Sequence, residues 1–537
     1  MATSANSSKS GNWKRKELWL LVIYAIVFYV IIINRSLQLS RDYYKHLSGL
    51  RPGWLLANHL NDVSDAQWRN FRGNIPVLSL VFGIFTLLAY LMKASFDLRV
   101  RGMSTVWLLF SLAYLSYLHG ACIVFILSIA TGNFILVKIF AQKEYFPLIV
   151  WSYNILFLLC NNGHFWKITE AALGGTYASI LMFVTVVLRM ISFGFDYHWT
   201  NRESHFDQEI RIWTGNSLGQ LISLRSIINV VIFVNPENHA IKFYRFVTAS
   251  YFGGLSFHID FHYIVYSCGL CKTSIEDMNH HLDVPQNAIS VRNVTLYGFR
   301  WILSMILMEL MTHLCYYNAF AKSDLWKHLS PMDVFIIGYG VLNFMWLKFL
   351  LIWRFFRFWS LINGIEAPEN MPKCINNCHN LEGFWKNWHA SFNKWLVRYI
   401  YIPLGGSKKK LLNVWVIFTF VAIWHDLEWK LLSWAWLTCL FFIPELVFKS
   451  AGKAFQAQSS FGVCIFRELS AVAGAVTITC LMVANLVGFV VGPGGINWLL
   501  SSFLHKEGLP VLGGMLVTFY VGTKIMFHID EAKQRLS

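Results

Sequence analysis

Apolar runs long enough to cross a bilayer recur along the chain, separated by short polar connections. A transmembrane helix needs about 20 mostly apolar residues. Such runs lie near 17–34, 75–92, 104–119, 120–140, 145–160, 174–193, 244–267, 294–316, 333–356, 431–448, 469–492 and 509–528. Two more, 219–234 and 411–424, are short, and an apolar run of that length reads as re-entrant or buried within protein. The pattern predicts an all-α, polytopic membrane protein with roughly ten to twelve transmembrane helices and re-entrant segments. Lys14, Arg15 and Lys16 precede the first run, which reads as an uncleaved signal anchor with its basic end in the cytosol. The polar connections 35–74, 194–218 and 268–293 still carry Trp, Tyr and His, so ordered loops are expected there. With no internal repeat and no long linker, residues 1–537 read as a single membrane domain.

Composition narrows the class further. The 537 residues are 56% hydrophobic and 17% aromatic but only 14% charged, against about 25% in soluble domains. A disordered chain, a coiled coil and a conventional soluble enzyme are excluded. The net charge of +16 is scattered over loops rather than gathered in a stripe. That argues against a nucleic-acid partner and for anionic membrane lipids or a phosphate-bearing substrate. Ten Cys are too few for a disulfide scaffold, and Cys122, Cys160, Cys315, Cys439 and Cys480 sit in apolar runs as packing residues.

Polar residues are costly inside a hydrophobic phase, so each is a candidate site. They concentrate in 348–430, which reads as the catalytic core segment. It opens with Trp353-Arg354-Phe355-Phe356-Arg357 and passes through the loop Asn363–Asn370. Read as one helix, 384–402 places His389 and Asn393 a turn apart on one face, with Trp385 just before them. Pro403 and the Gly405-Gly406 pair would end it. An interfacial helix explains its aromatics and lysines, but leaves a His and an Asn facing the same way unexplained. His425 stands at the tip of the short run 411–424, where burial would keep its imidazole neutral and able to take a hydroxyl proton. Two such histidines in one cavity could divide the work of acyl transfer.

Other candidates are weaker. Cys268 and Cys271 with His280 and His281, or Cys374 with Cys378, lack a four-ligand zinc spacing, so no metal is expected. Lys408-Lys409-Lys410 reads as a solvated loop, and Arg189 with Asp196 as structural charges. There is no G-x-S-x-G elbow, P-loop or H-E-x-x-H.

Phe384–Gly406, followed about twenty residues later by Trp424-His425 in a many-spanned chain, resembles the membrane-bound O-acyltransferase (MBOAT) family. The likeness is to its glycerol-uptake-protein branch, related to hedgehog acyltransferase. Gly364–Met371, Val397–Ser407 and Leu188–Phe193 with Asp196–Trp199 also fit that branch. The resemblance implies an MBOAT-like bundle around a central tunnel. It implies acyl transfer from acyl-CoA, a co-substrate needing no further cofactor, to a lysolipid or glycosylphosphatidylinositol-anchor lipid in the endoplasmic reticulum membrane. His425 matches the family's catalytic histidine and His389 its second polar position, an Asp in hedgehog acyltransferase. A His there favours a lipid hydroxyl over a protein amine as acceptor. His389 and Asn393 would orient substrate, Arg354, Arg357, Lys394 and Arg398 would meet the CoA phosphates, and Trp385, Trp388 and Trp424 would wall the acyl path. Competing readings are a small-polyol (glycerol) transporter or transport-associated membrane protein, against which the missing duplication counts, a protein acyltransferase, and an inactive acyltransferase-like regulator.

Overall fold

The computed structural model describes residues 2–56, 59–96, 123–160, 180–201, 290–363, 367–425, 428–454 and 460–536. The helices, numbered through these residues, are α1 (Ala2–Tyr43), α2 (Ala66–Phe96), α3 (Ile123–Phe140), α4 (Phe146–Cys160), α5 (Ile180–Asn201), α6 (Val291–Leu314), α7 (Tyr317–Lys322) and α8 (Pro331–Ile362). They continue with α9 (Leu381–Asn387), α10 (Ala390–Leu396), α11 (Lys410–His425), α12 (Trp429–Ala454), α13 (Ser460–Leu486), α14 (Ile496–Leu504) and α15 (Leu509–Leu536). Two three-residue strands, β1 (Leu50–Pro52) and β2 (Leu60–Asp62), pair antiparallel with Leu50 opposite Asp62.

Among the described residues, seven helices are long and apolar enough to cross a membrane: α1, α2, α6, α8, α12, α13 and α15. The protein is therefore a multi-pass, all-α membrane protein. The segments expected near 104–119, 219–234 and 244–267 lie outside the described residues. The short run ending at His425 is a helix of 16 residues, below the length a simple span requires.

Helix α8 is the most buried of these seven. Two-thirds of its apolar window is buried inside the protein, against 6% for α1. Its start is fixed by Ser330, whose Oγ accepts from the Asp333 amide at 3.2 Å, with Pro331 at the first helical position. Arg35 of α1 then grips the Asp333 carboxylate with two nitrogens, at 2.7 and 3.0 Å. Two apolar cores form along α8. One gathers rings from α2, α5, α10, α11 and α12, and the other joins α8 to α1, α7, α13 and α15. Outward, α1 exposes Trp19, Leu20, Ile23, Ile26 and Val27; a continuous face of this kind is stable against lipid chains, not water.

The loop carrying β1 and β2 is ordered by polar bonds. Asp62 Oδ2 accepts from the Asn318 and Ala319 amides, each at 3.0 Å, at the start of α7. At the other end of the core, Glu445 of α12 accepts from the Leu381 amide at 2.6 Å and ties down α9. Glu382 beside it meets Lys386 at 2.8 Å, Lys449 at 3.1 Å and Lys410 at 3.3 Å.

The Lys386 hydrogen bond, reinforced by Lys449 and Lys410 and opposed by partial burial, pushes the Glu382 carboxyl down to about 2 from its ordinary 4.5. A depressed carboxyl contributes stability above its unfolded value and loses it as pH falls toward the folded one. The thermal midpoint of the solubilised protein should therefore drop more steeply between pH 4.5 and pH 2 than that of Glu382→Gln. Parallel pH curves for the two proteins would contradict the assignment.

Candidate functional site

The stretch 384–402 is not one helix. Trp388 leaves α9 in an extended conformation, φ −85° and ψ 119°, and His389 turns left-handed at φ 53° and ψ 50° before α10 begins. His389 alone has positive φ among the described non-glycine residues. Such a backbone costs about 1–3 kcal/mol and persists only where its surroundings impose it. After Leu396 the chain runs through a π-helical turn, Val397–Tyr401, and ends at Gly405 and Gly406, both with positive φ.

Asn370 imposes the break. In a continuous helix the amides of Ala390 and Ser391 would bond to the carbonyls four residues earlier. Here the Ala390 amide donates to the Asn370 carbonyl at 3.0 Å. The Ser391 amide and hydroxyl donate to Asn370 Oδ1, at 3.0 and 2.8 Å. One buried asparagine, 1% exposed, thus satisfies the start of α10 from another segment.

Released from the helix, the His389 ring packs edge-on against Trp353 of α8, with centroids 4.3 Å apart. On its other side stands Phe392, at 5.7 Å. Phe392 packs on Trp424 at 4.6 Å, and Trp424 lies 4.7 Å from the ring of His425. Trp434 of α12 meets His425 at 6.1 Å and Trp385 at 5.7 Å. A β-carbon on Gly488 would sit 2.8 Å from Trp434 Cβ, so the close approach of that segment requires glycine. Trp434 Nε1 donates to Asn485 Oδ1 at 3.1 Å, which fixes the indole beside His425.

His389 and His425 line the same cavity, of about 1120 Å³. Asn393, Trp385, Trp388 and Trp424 line it as well. Small-molecule sites usually occupy roughly 300–1,000 Å³, so the space suits a large and mostly apolar ligand. A neutral imidazole at such a wall can accept a proton from a hydroxyl, and an amide can hydrogen-bond a carbonyl oxygen.

The four cations expected at CoA phosphates are not brought to this cavity. Arg354 and Arg357 face Glu369 at 3.4 and 3.6 Å, and Arg357 also donates to the Ala367 carbonyl at 2.7 Å. These bonds pin the loop after α8 to the helix it leaves. Arg398 pairs with Asp196 at 3.0 Å and lies over the Trp199 ring, while Lys394 is exposed. Three charged residues that do line the cavity, Lys348, Lys322 and Asp65, escaped the sequence reading as site residues. Lys348 signalled itself as the one charge between Asp333 and Arg354 in the apolar run 333–356, whereas Asp65 sat unmarked in a polar loop. Of the weaker candidates, Cys378 points its sulfur at the Cys374 carbonyl. Cys268, Cys271, His280 and His281 lie outside the described residues.

Two outcomes follow from the broken helix. Asn370→Ala removes the acceptor of the buried Ser391 amide and hydroxyl and should cost about 1–3 kcal/mol, read as a lower thermal midpoint of the solubilised protein. At position 389, glycine adopts a left-handed backbone without strain and alanine does not. His389→Gly should therefore unfold at a higher temperature than His389→Ala. The reverse order would refute a strained backbone at this residue.

The sequence model of the MBOAT, membrane-bound O-acyltransferase family, matches residues 168–486. The chain is 31% identical to the membrane-bound O-acyltransferase gup1 of Schizosaccharomyces pombe, over 89% of this chain and 82% of that protein. It is 29% identical to the membrane-bound O-acyltransferase GUP1 of Saccharomyces cerevisiae, over 99% of this chain and 94% of that one. A shorter stretch, 25% of this chain, is 30% identical to the protein-cysteine N-palmitoyltransferase HHAT of Mus musculus and covers 28% of it.

Proposed function

The chain belongs to the membrane-bound O-acyltransferase family, and on that premise we propose that it moves a long-chain acyl group from acyl-CoA to a lipid hydroxyl. Its setting is the endoplasmic reticulum membrane and its task the remodelling of glycosylphosphatidylinositol-anchor lipids. The observation that supports this reading most is that His389 and His425 open onto one large, ring-walled cavity.

In this mechanism the His425 imidazole accepts the proton of the acceptor hydroxyl as its oxygen attacks the thioester carbonyl carbon. The carbon–sulfur bond then breaks, and the CoA thiolate takes the proton back from the imidazolium to leave as a thiol. A thioester is already activated, so acid–base help and charge stabilisation are what the protein must add. Asn393 and His389 orient the acyl carbonyl and hydrogen-bond the oxygen on which charge develops. Trp385, Trp388 and Trp424 hold the acyl chain by apolar contact.

General-base catalysis contributes typically 10²- to 10⁴-fold. His425→Ala in purified protein should lower acyl transfer to a lysolipid by about that factor while the thermal midpoint stays near the parent value. Undiminished transfer would exclude the mechanism. Lipids from cells lacking the protein should show lyso-form anchors accumulating over an unchanged bulk phospholipid profile. Polyol uptake into proteoliposomes without acyl-CoA would instead support transport.

A further inference from the structure

Lys348 stands in the middle of α8, the most buried of the long apolar helices, and is itself 6% exposed. An ionisable side chain in such a helix is costly and normally faces a partner or a polar cavity. Lys348 does both. Its Nζ donates to Asp65 Oδ2 at 2.9 Å and lies 4.9 Å from the Phe349 ring, and both Lys348 and Asp65 line the cavity that holds His389 and His425.

A tie between loop and helix would account for one hydrogen bond and no more. An ammonium carries three donors, and Asp65 is the single hydrogen-bond partner of Lys348 among the described residues. Asp65 has separate work, since its Oδ1 accepts from the Trp68 amide at 2.7 Å and caps α2. The charges on the wall are unequal in number. The charged residues on the described cavity wall are Lys348, Lys322 and Asp65, two cations against one anion. Lys322 is exposed and its Nζ donates to the Ser64 carbonyl, so the excess of one positive charge sits at the solvent-facing rim of this wall. The same cavity is lined by neutral amides, Gln67, Asn70, Asn318, Asn343 and Asn376, with Asn376 donating to Asn343 at 2.9 Å. Amides of this kind match hydroxyl groups on a head group.

Spacing relates this cluster to the histidines. Trp353, the ring on which His389 packs, lies five residues beyond Lys348, about 7.5 Å of helix rise. Lys348 and His389 line the one cavity.

We propose that the Lys348–Asp65 pair is an anion subsite of the cavity, which takes the single negative charge of a hydroxylated phosphodiester head group on the acceptor while its free hydroxyl lies at His389 and His425. This rests on the acyltransferase reading and adds to it the chemical class of the acceptor. A phosphodiester carries one charge and balances the wall. The several phosphate charges of CoA would overfill it, so the anion held here belongs to the lipid.

The experiment uses full-length protein in detergent with lysophosphatidylinositol and, as an uncharged comparison, a monoacylglycerol of the same chain length. Charge-assisted hydrogen bonds of this kind correspond to roughly ten- to hundredfold in affinity. The double variant Lys348→Gln with Asp65→Asn removes both charges together and avoids leaving one buried alone; Lys348→Arg keeps the cation. The double variant should raise the KM for lysophosphatidylinositol by at least about tenfold, leave the KM for acyl-CoA and for monoacylglycerol near parental values, and Lys348→Arg should recover most of the loss. A rise in the acyl-CoA KM alone would overturn the proposal in favour of a CoA site, and unchanged constants would overturn it outright. Thermal stabilisation by lysophosphatidylinositol, read without acyl-CoA, separates the two levels of inference. If the parent transfers no acyl group, the acyltransferase reading fails. Stabilisation that exceeds that by monoacylglycerol and disappears in the double variant would still uphold the subsite, and equal stabilisation of parent and double variant would overturn it.

Discussion

Two amides decide where the reactive side chains stand. Ala390 and Ser391 begin a helix whose preceding turn has been unwound, and both find acceptors on Asn370. Without that asparagine the chain from Leu381 to Leu396 would gain by closing into one helix, since every buried amide must be satisfied. With it, the backbone can turn left-handed at His389 and present the imidazole sideways against Trp353. The ring contacts from Trp353 to His389, Phe392, Trp424 and His425 form an unbroken sequence. Asn370 is thus tied, through Ala390 and Ser391, to one end of this run of packed rings.

The bilayer explains why the polar side chains gather as they do. Hydrocarbon offers no partner to an exposed charge or amide, so polarity inside the membrane domain must face inward. Helix α8 serves both apolar cores, and Lys348, Asn343 and Trp353 reach the cavity from that one helix. Three charges that do not reach it have structural partners: Arg354 and Arg357 hold Glu369, and Arg398 holds Asp196. Two families of charge are therefore separated in space, one tying loops to helix ends and one set on the cavity wall.

The helical frame was legible because length and apolar content are local properties. The runs at 333–356, 431–448, 469–492 and 509–528 reappear as α8, α12, α13 and α15, and the brevity of 411–424 reappears in α11. The β1–β2 pair was not legible: three-residue strands leave no alternation to read, and their order depends on bonds to α7 from 256 residues away in sequence. The break at His389 escaped for a similar reason. Nothing in 384–396 forbids a helix, and the residue that interrupts it lies 21 positions before Ser391. His389, His425 and the three tryptophans named from the sequence do face one cavity, because each sat at the end of a recognisable apolar or aromatic run. The arginines expected at the CoA phosphates pair with Glu369 and Asp196 outside this cavity, and proximity in sequence does not say which carboxylate a cation meets.

Helix α1 forms a partition one helix thick. Val22, Ala25 and Phe28 contribute to the cavity lining, while Ile23, Val27 and Val30 of the same turns are exposed on the outside. Tyr24 and Tyr29 fasten this partition through hydroxyl contacts to Thr518 and Tyr339, at 2.9 and 3.1 Å. A chain shortened past those tyrosines would exchange a chamber for an open trench, in which ambient phospholipid competes by lateral diffusion for the same space. For such a truncation, the composition of the surrounding membrane would become a component of the reaction, and two laboratories using different detergents would measure different proteins.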